Sequence, residues 1–343
     1  MSKLILAVAL IFALAIPASA VEFTAPQVPE KGAELMPEDT GSFAAGLMEL
    51  LRDAVLGLRP DLKEASKVSL GVIAAVMMVS LLQSFSGSVK TVANLVGATA
   101  IAAGLLLSAN SLIRLGSQTV TEISEYGKLL LPVMTAAQGG AASSTALYAG
   151  TAVFDSVLSS LISRMLGPMV YLFLALSAAN GAIGENILGK LRDLVKNVVS
   201  WSLKTILTVF TTYMTVTGVV SGTTDAAALK ATKVTISSVV PVVGGILSDA
   251  SEAVLVSAGL MKNAAGIYGI LAVLAVFLSP FLKIGVHYLI LKLTAAVCGI
   301  FGEKGLTELI GDFSTAMGLL LAMTGSECLL LLISTVCFLK GVG

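Results

Sequence analysis

The sequence predicts an all-α fold: a polytopic integral membrane helical bundle with an internal repeat and broken or re-entrant helices. Three observations predict it. Of the 343 residues, 56% are apolar and only 12% are charged, whereas a soluble domain carries about 25% charged residues. The charges are also segregated, with nine acidic and five basic side chains in residues 21–67 and only twelve acids and fifteen bases from Val68 to the end. Finally, apolar stretches of about 20 residues, the length that crosses a bilayer as a helix, recur throughout that second part. So few polar side chains cannot cover a water-soluble exterior, so the solvent of the body is lipid.

Residues 1–20 read as a secretory signal peptide. Lys3 is the positive n-region, Leu4 to Ile16 the apolar core, and Ala18-Ser19-Ala20 a small-x-small cleavage site; an uncleaved first anchor is the alternative. Either way, residues 21–67 fall on the extracytoplasmic side. Within them, 21–40 form a polar linker with Pro26, Pro29, Pro37 and five acids. From Phe43 an apolar stripe of Leu47, Leu50, Leu51, Val55 and Leu58 recurs at helical spacing, with Glu49, Arg52, Asp53 and Arg59 between. This is an amphipathic helix that lies flat on the membrane or packs on a partner.

The membrane domain is 68–343. Residues 68–86 and 91–113 form a helical hairpin whose turn carries Lys90. A charge-free stretch from Leu129 to Phe154 is interrupted by Pro132, Gly139 and Gly140, and another, 165–184, opens on Gly167-Pro168. Residues 185–196 are amphipathic, 197–220 form a span with Trp201 and Lys204 near one end, and 234–262 is broken by Pro241, Gly244 and Gly245. Residues 263–302 make one bent crossing or two around Pro280 and Lys283, and 313–339 is the last span. With lysine and arginine on the cytoplasmic side, Lys90 and the Lys190–Lys196 segment are inside and an Arg114–Lys128 loop is outside.

The internal repeat rests on two proline–glycine segments. Pro132-Val133 precedes Gly150 by 18 residues, and Pro241-Val242 precedes Gly259 by the same interval. Gly184-Glu185 with Leu188 and Leu191 parallels Gly302-Glu303 with Leu306 and Leu309. Repeats covering about 91–199 and 200–325 account for both. In repeated membrane proteins, broken helices in matching positions line the ligand or ion path. Pro132, Pro241, Gly244 and Gly245 are therefore candidate path-lining residues.

Glu327 is the main candidate for coupling, because an ionisable side chain inside a span is costly and usually functional; the plain alternative is a polar interface. Asp249 and Glu252 share a helix face, either as a cation or proton site or, the preferred reading, as a capping box after the Gly244-Gly245 break. Asp155 and Arg164 read as loop charges. His287, the only histidine, reads as a satisfied interior residue, and Lys292 as a side chain that snorkels or pairs with an acid. Cys298, Cys328 and Cys337 lack metal-ligand spacing and read as buried small hydrophobes. With no nucleophile–base pair, phosphate loop or metal cluster, the chain is not expected to be an enzyme or to hold a cofactor. Zero net charge gives no reason to expect nucleic acid.

Several runs carry a resemblance: Lys128-Leu-Leu-Leu-Pro132-Val, Arg164-Met-Leu-Gly-Pro168, Asn180-Gly-Ala-Ile-Gly-Glu185-Asn, Ser237-Ser-Val-Val-Pro241-Val-Val-Gly-Gly245 and Glu303-Lys-Gly-Leu-Thr-Glu308-Leu. Over roughly 110–343 the chain resembles the stage III sporulation protein AE family of endospore-forming bacteria. The resemblance implies a permease-like subunit in the mother-cell-derived outer forespore membrane, within the channel or secretion-type complex that links mother cell and forespore. It implies as partners the other membrane and ring-forming subunits of the stage III A complex, a secretion-type ATPase and, indirectly, the stage II protein Q. It carries over no catalytic residue. The alternatives are a self-sufficient ion-coupled secondary transporter and a non-transporting membrane scaffold.

Overall fold

The computed structural model describes residues 26–37, 42–83, 87–137, 142–183, 186–216, 264–301 and 304–340. Residues 1–20, expected as a signal peptide, and the segment holding Pro241, Gly244, Gly245, Asp249 and Glu252 lie outside the described residues. The described elements are helical throughout: α1 (Glu30–Ala33), α2 (Phe43–Gly57), α3 (Arg59–Gln83), α4 (Gly87–Ala137), α5 (Ala142–Leu161), a π-helical turn (Ile162–Leu166), α6 (Gly167–Ile183), α7 (Asn186–Val216), α8 (Ala264–Phe301) and α9 (Lys304–Lys340). Among the described residues, five segments are long and apolar enough to cross a membrane: Phe43–Gln83, Val92–Thr135, Tyr148–Ile183, Gly266–Ile300 and Lys304–Phe338. The chain is a multi-pass, all-α membrane bundle.

Helices α8 and α9 form the centre. From Ile270 to Leu278 every residue of α8 is buried, and from Ala316 to Leu332 so is every residue of α9. A helix that is apolar all round has no face to offer water and is enclosed by others. Around this pair stand α2, α3, α4, α5, α6 and α7, each with one buried stripe. On α7 the stripe is Val195, Val199, Leu203, Leu207, Phe210 and Met214, at steps of three or four residues, while Lys190, Trp201 and Lys204 face outward. The outer stripe of α3 carries Leu70, Met77, Met78, Leu81 and Leu82, which suits hydrocarbon better than water.

Contacts fix the directions. Gly116 of α4 lies against Leu320 and Thr324 of α9 and Ile284 of α8, while further along Leu130 of α4 lies against Gly269 of α8, which also meets Thr335 of α9. Helices α4 and α9 are thus parallel neighbours and α8 runs against both. Helices α6 and α7 pack as one hairpin, Gly189 against Asn180, and α8 and α9 as another. The two hairpin ends meet, Gly181 beside Leu309 and the Gly305 carbonyl.

Several expected breaks are continuous helix. The Arg114–Lys128 segment, expected as an outside loop, belongs to α4, a single helix of 51 residues that also passes through Pro132. At 1.5 Å per residue it is about 76 Å long, well beyond a bilayer. Pro132 costs one intrahelical bond and displaces the preceding turn, but it stands exposed near the helix end, where only about a turn and a half depends on it. Residues 142–183, expected as parts of two spans, form one rod. Its π turn has the Gly167 N–H bonded to the Ile162 carbonyl, and this widened turn makes room before Pro168, whose ring would press on the carbonyl four residues back in a regular helix. Helix α8 passes through Pro280 as one element. Helix α2, left between membrane surface and partner, packs on this chain's own α8 through Phe43, Gly46, Leu50 and Ala54.

Candidate functional site

Three helices bring polar side chains together in the interior. On α4, Ser124, Gly127 and Lys128 are three and four residues apart and share a face. On α5, Thr151 and Asp155 are one turn apart, and α9 brings Glu327. The Ser124 hydroxyl donates to Asp155 Oδ2 at 2.7 Å. Gly127 lets α9 approach: a Cβ there would stand 3.0 Å from Leu331 Cδ1 and 3.7 Å from Asp155 Oδ1. Leu331 is one turn beyond Glu327, so the same approach sets Glu327 against Asp155.

Glu327 is 0% exposed and Asp155 2%. The two carboxyls are within reach of a shared hydrogen bond, yet Asp155 Oδ1 and both oxygens of Glu327 lack a bond of standard geometry. Lys128, exposed on α4, is the cation that acts on both. Thr151 is buried with its hydroxyl unpartnered. That sets it apart from the other buried hydroxyls. Thr119, Ser177, Thr294, Thr324, Ser326, Ser334 and Thr335 each donate to the carbonyl four residues back. Ser314 donates to the Tyr288 carbonyl, and Ser69 pairs with Thr294. Among the described residues, only Thr151 of the buried serines and threonines holds its hydroxyl unused.

This arrangement corrects one reading and extends another. Asp155, read as a loop charge, is buried inside a helix, because α5 runs unbroken to the π turn. Its signal was available: Asp155 is the only charge between Lys128 and Arg164, the same oddity that singled out Glu327. Glu327 stands where the span 313–339 puts it, deep in α9. Pro132 is one turn past Lys128 on the exposed side of α4 and has no N–H to offer the Lys128 carbonyl. Arg164 lies exposed in the π turn.

The other singled-out residues are accounted for by packing. His287 is buried and its Nδ1 bonds the Lys283 carbonyl at 3.0 Å, as a satisfied interior histidine does. Among the described residues Lys292 finds a tyrosine and no acid, donating to Tyr288 Oη at 3.2 Å and lying 5.5 Å from the ring centroid. All three cysteines are buried and none is in a disulfide. A second polar cluster ties the hairpin ends: Arg192 of α7 donates to Asp312 of α9 at 2.7 Å and to neighbouring Asp193. Burial opposes the Arg192 cation, but Asp312 and Asp193 more than offset this and hold the guanidinium above its ordinary pKa. This cluster is satisfied and reads as a clamp.

The profile of the family described as "Stage III sporulation protein AE" matches residues 41–341. Among curated proteins the chain is similar to one named Stage III sporulation protein AE, from Bacillus subtilis (strain 168). The two are 26% identical over 199 residues, which cover 56% of this chain and 50% of that one. The match thus spans half the length of this curated relative. No solved structure matches the chain.

Proposed function

The chain belongs to the stage III sporulation protein AE family, and from that premise we propose that it is a permease-like membrane subunit of the channel or secretion-type complex that links mother cell and forespore. The family places it in sporulation. On this reading it sits in the mother-cell-derived outer forespore membrane and is needed for forespore development. It works alongside the other membrane and ring-forming subunits of the stage III A complex and a secretion-type ATPase, and meets the stage II protein Q indirectly. It catalyses no reaction of its own.

The observation that carries this reading is the extent of the family match. It runs from 41 to 341 and so takes in the whole described helical bundle from α2 onward, including the two central helices α8 and α9. The match therefore takes in the membrane body together with the amphipathic helix that precedes it. The test is made in a sporulating host lacking the gene. Forespores should arrest, and a tagged copy of the chain should restore them and co-purify with the ATPase and ring subunits from detergent. Normal spores without the gene, or a restored strain whose tagged chain purifies alone, would overturn it.

The buried Asp155–Glu327 pair favours a second reading, that of an ion-coupled secondary transporter. Uptake driven by an ion gradient in liposomes that contain only this chain would support that reading against the first.

A further inference from the structure

We propose that Asp155 and Glu327 form a proton-binding site, in which one hydrogen ion is held between the two carboxyl groups in the interior of the bundle. The site carries three ionisable groups in mutual range. Two are carboxyls that are almost fully buried, and the third, Lys128, is exposed. With both acids ionised, two negative charges would face each other in an apolar interior against the single positive charge of Lys128 on the exposed side of α4. Facing carboxyls in such surroundings do not both ionise, because a buried charge left without a partner is strongly unfavourable. One proton makes the pair plus Lys128 neutral.

The geometry selects a proton over a metal cation. A hard cation needs about six oxygens at about 2.3–2.6 Å, and membrane cation sites obtain many of them from backbone carbonyls of unwound helices. Here α5 around Asp155 and α9 around Glu327 are unbroken helix, with their carbonyls committed to intrahelical bonds. One oxygen of Asp155 is already taken by Ser124. What remains is Asp155 Oδ1, the two oxygens of Glu327 and the Thr151 hydroxyl, too few for a cation and enough for a proton. The binding step is a plain protonation: a hydrogen ion from water adds to a carboxylate lone pair, giving a carboxylic O–H that donates to the facing carboxylate.

Thr151 supplies the independent sign. A buried threonine in a helix ordinarily donates to the carbonyl one turn back, as its counterparts in this chain do. A hydroxyl that forgoes that bond, buried one turn from Asp155, is free to donate to the carboxyl pair when the proton leaves. The ionisable groups bearing on Glu327 from packed elements are Asp155 of α5 and Lys128 of α4, with Cys328 beside it on α9. Among the described residues, α6, α7 and α8 bring none.

The test uses the full chain in lipid nanodiscs and infrared difference spectroscopy, which reads the C=O stretch of a carboxylic acid. At neutral pH the wild type should show one such acid band, moved by exchange into heavy water. It should be lost in Glu327→Gln, where the amide takes the place of the acid, and kept in Glu308→Gln, whose side chain is exposed on the same helix. Should Glu327→Gln not be recovered, Asp155→Asn serves, with the band shifted or lost. An acid band missing from the wild type, or unchanged in both interior variants, overturns the proposal. So does a melting temperature that rises with sodium over an equal concentration of a bulky organic cation, which would mark a metal cation as the occupant. None of these readouts needs a partner subunit or transport, so the site stands or falls apart from the role in the sporulation complex.

Discussion

Arg192 on α7 and Asp312 on α9 are 120 residues apart in sequence and 2.7 Å apart in space, each side chain only 14% exposed. The pair joins the two hairpin ends in a half-dry setting, where removing one partner strands the other. Asp312→Ala should therefore destabilise the purified protein by about 2–3 kcal/mol. Asp193, which also accepts from Arg192, keeps the loss below that of a fully stranded charge. By contrast, Lys283 and Asp61 are 2.6 Å apart with the lysine 38% exposed, and Asp61→Ala, which strands only that more exposed lysine, should cost no more than about 1 kcal/mol. Thermal melts in one detergent would compare the two. Equal losses would show that depth does not distinguish these pairs.

Thr151→Val separates structural use of a side chain from functional use. Valine keeps the shape and removes a hydroxyl that bonds nothing. If folding were the only demand at this position, stability should stay level or rise by about 1 kcal/mol. The expected outcome is a protein at least as stable as the wild type whose gene restores spore formation poorly. A clear loss of stability would mean that the hydroxyl has a structural partner.

The meeting of the hairpin ends predicts a graded glycine series. A Cβ on Gly181 would fall 3.2 Å from Leu309 Cβ, a fixed atom, whereas one on Gly305 meets only the Gly181 carbonyl at 3.5 Å and one on Gly311 meets nothing within 4 Å. Alanine in a helix gains up to about 1 kcal/mol over glycine, and overpacking costs about 1–3. Gly181→Ala should be destabilising, Gly305→Ala close to neutral and Gly311→Ala stabilising. If all three melt alike, the hairpin ends do not touch.

How much of this was legible in the sequence depended on which physical rule had competition. The spans of α8 and α9 were readable because long apolar runs admit few alternatives; the burial of Glu327 followed from its place in one of them. Proline is the weaker sign, because it does not always mark a break. Pro132 and Pro280 sit inside helices, where the loss of one backbone bond is offset by packing of the whole element. The loop expected at Arg114–Lys128 failed for a related reason. Charge was taken as an exit to water, yet Gln118, Glu125 and Lys128 lie on the exposed side of a helix whose other side packs on the core. Asp155 was lost to that same assumption. That it stands beside Glu327 could not be read from either residue's position, since it depends on the parallel run of α4 and α9 and on a glycine at 127.

Trp201 makes the lipid premise measurable, because it is the single tryptophan of the chain and stands 68% exposed on the outer face of α7. An indole ring on the outside of a membrane bundle settles at the interface, with its body in hydrocarbon and its N–H toward water. Lys204, three residues on and also outward, suits the same level by snorkelling. In nanodiscs the intrinsic emission should therefore be blue-shifted relative to tryptophan in water. Lipids brominated near the head group should quench it more strongly than lipids brominated near the chain ends, and aqueous iodide should reach it only in part. Full quenching by iodide with no effect of either brominated lipid would put the outer face of α7 in water. That outcome would move the membrane boundary of the bundle to α3, α4 and the outer part of α8.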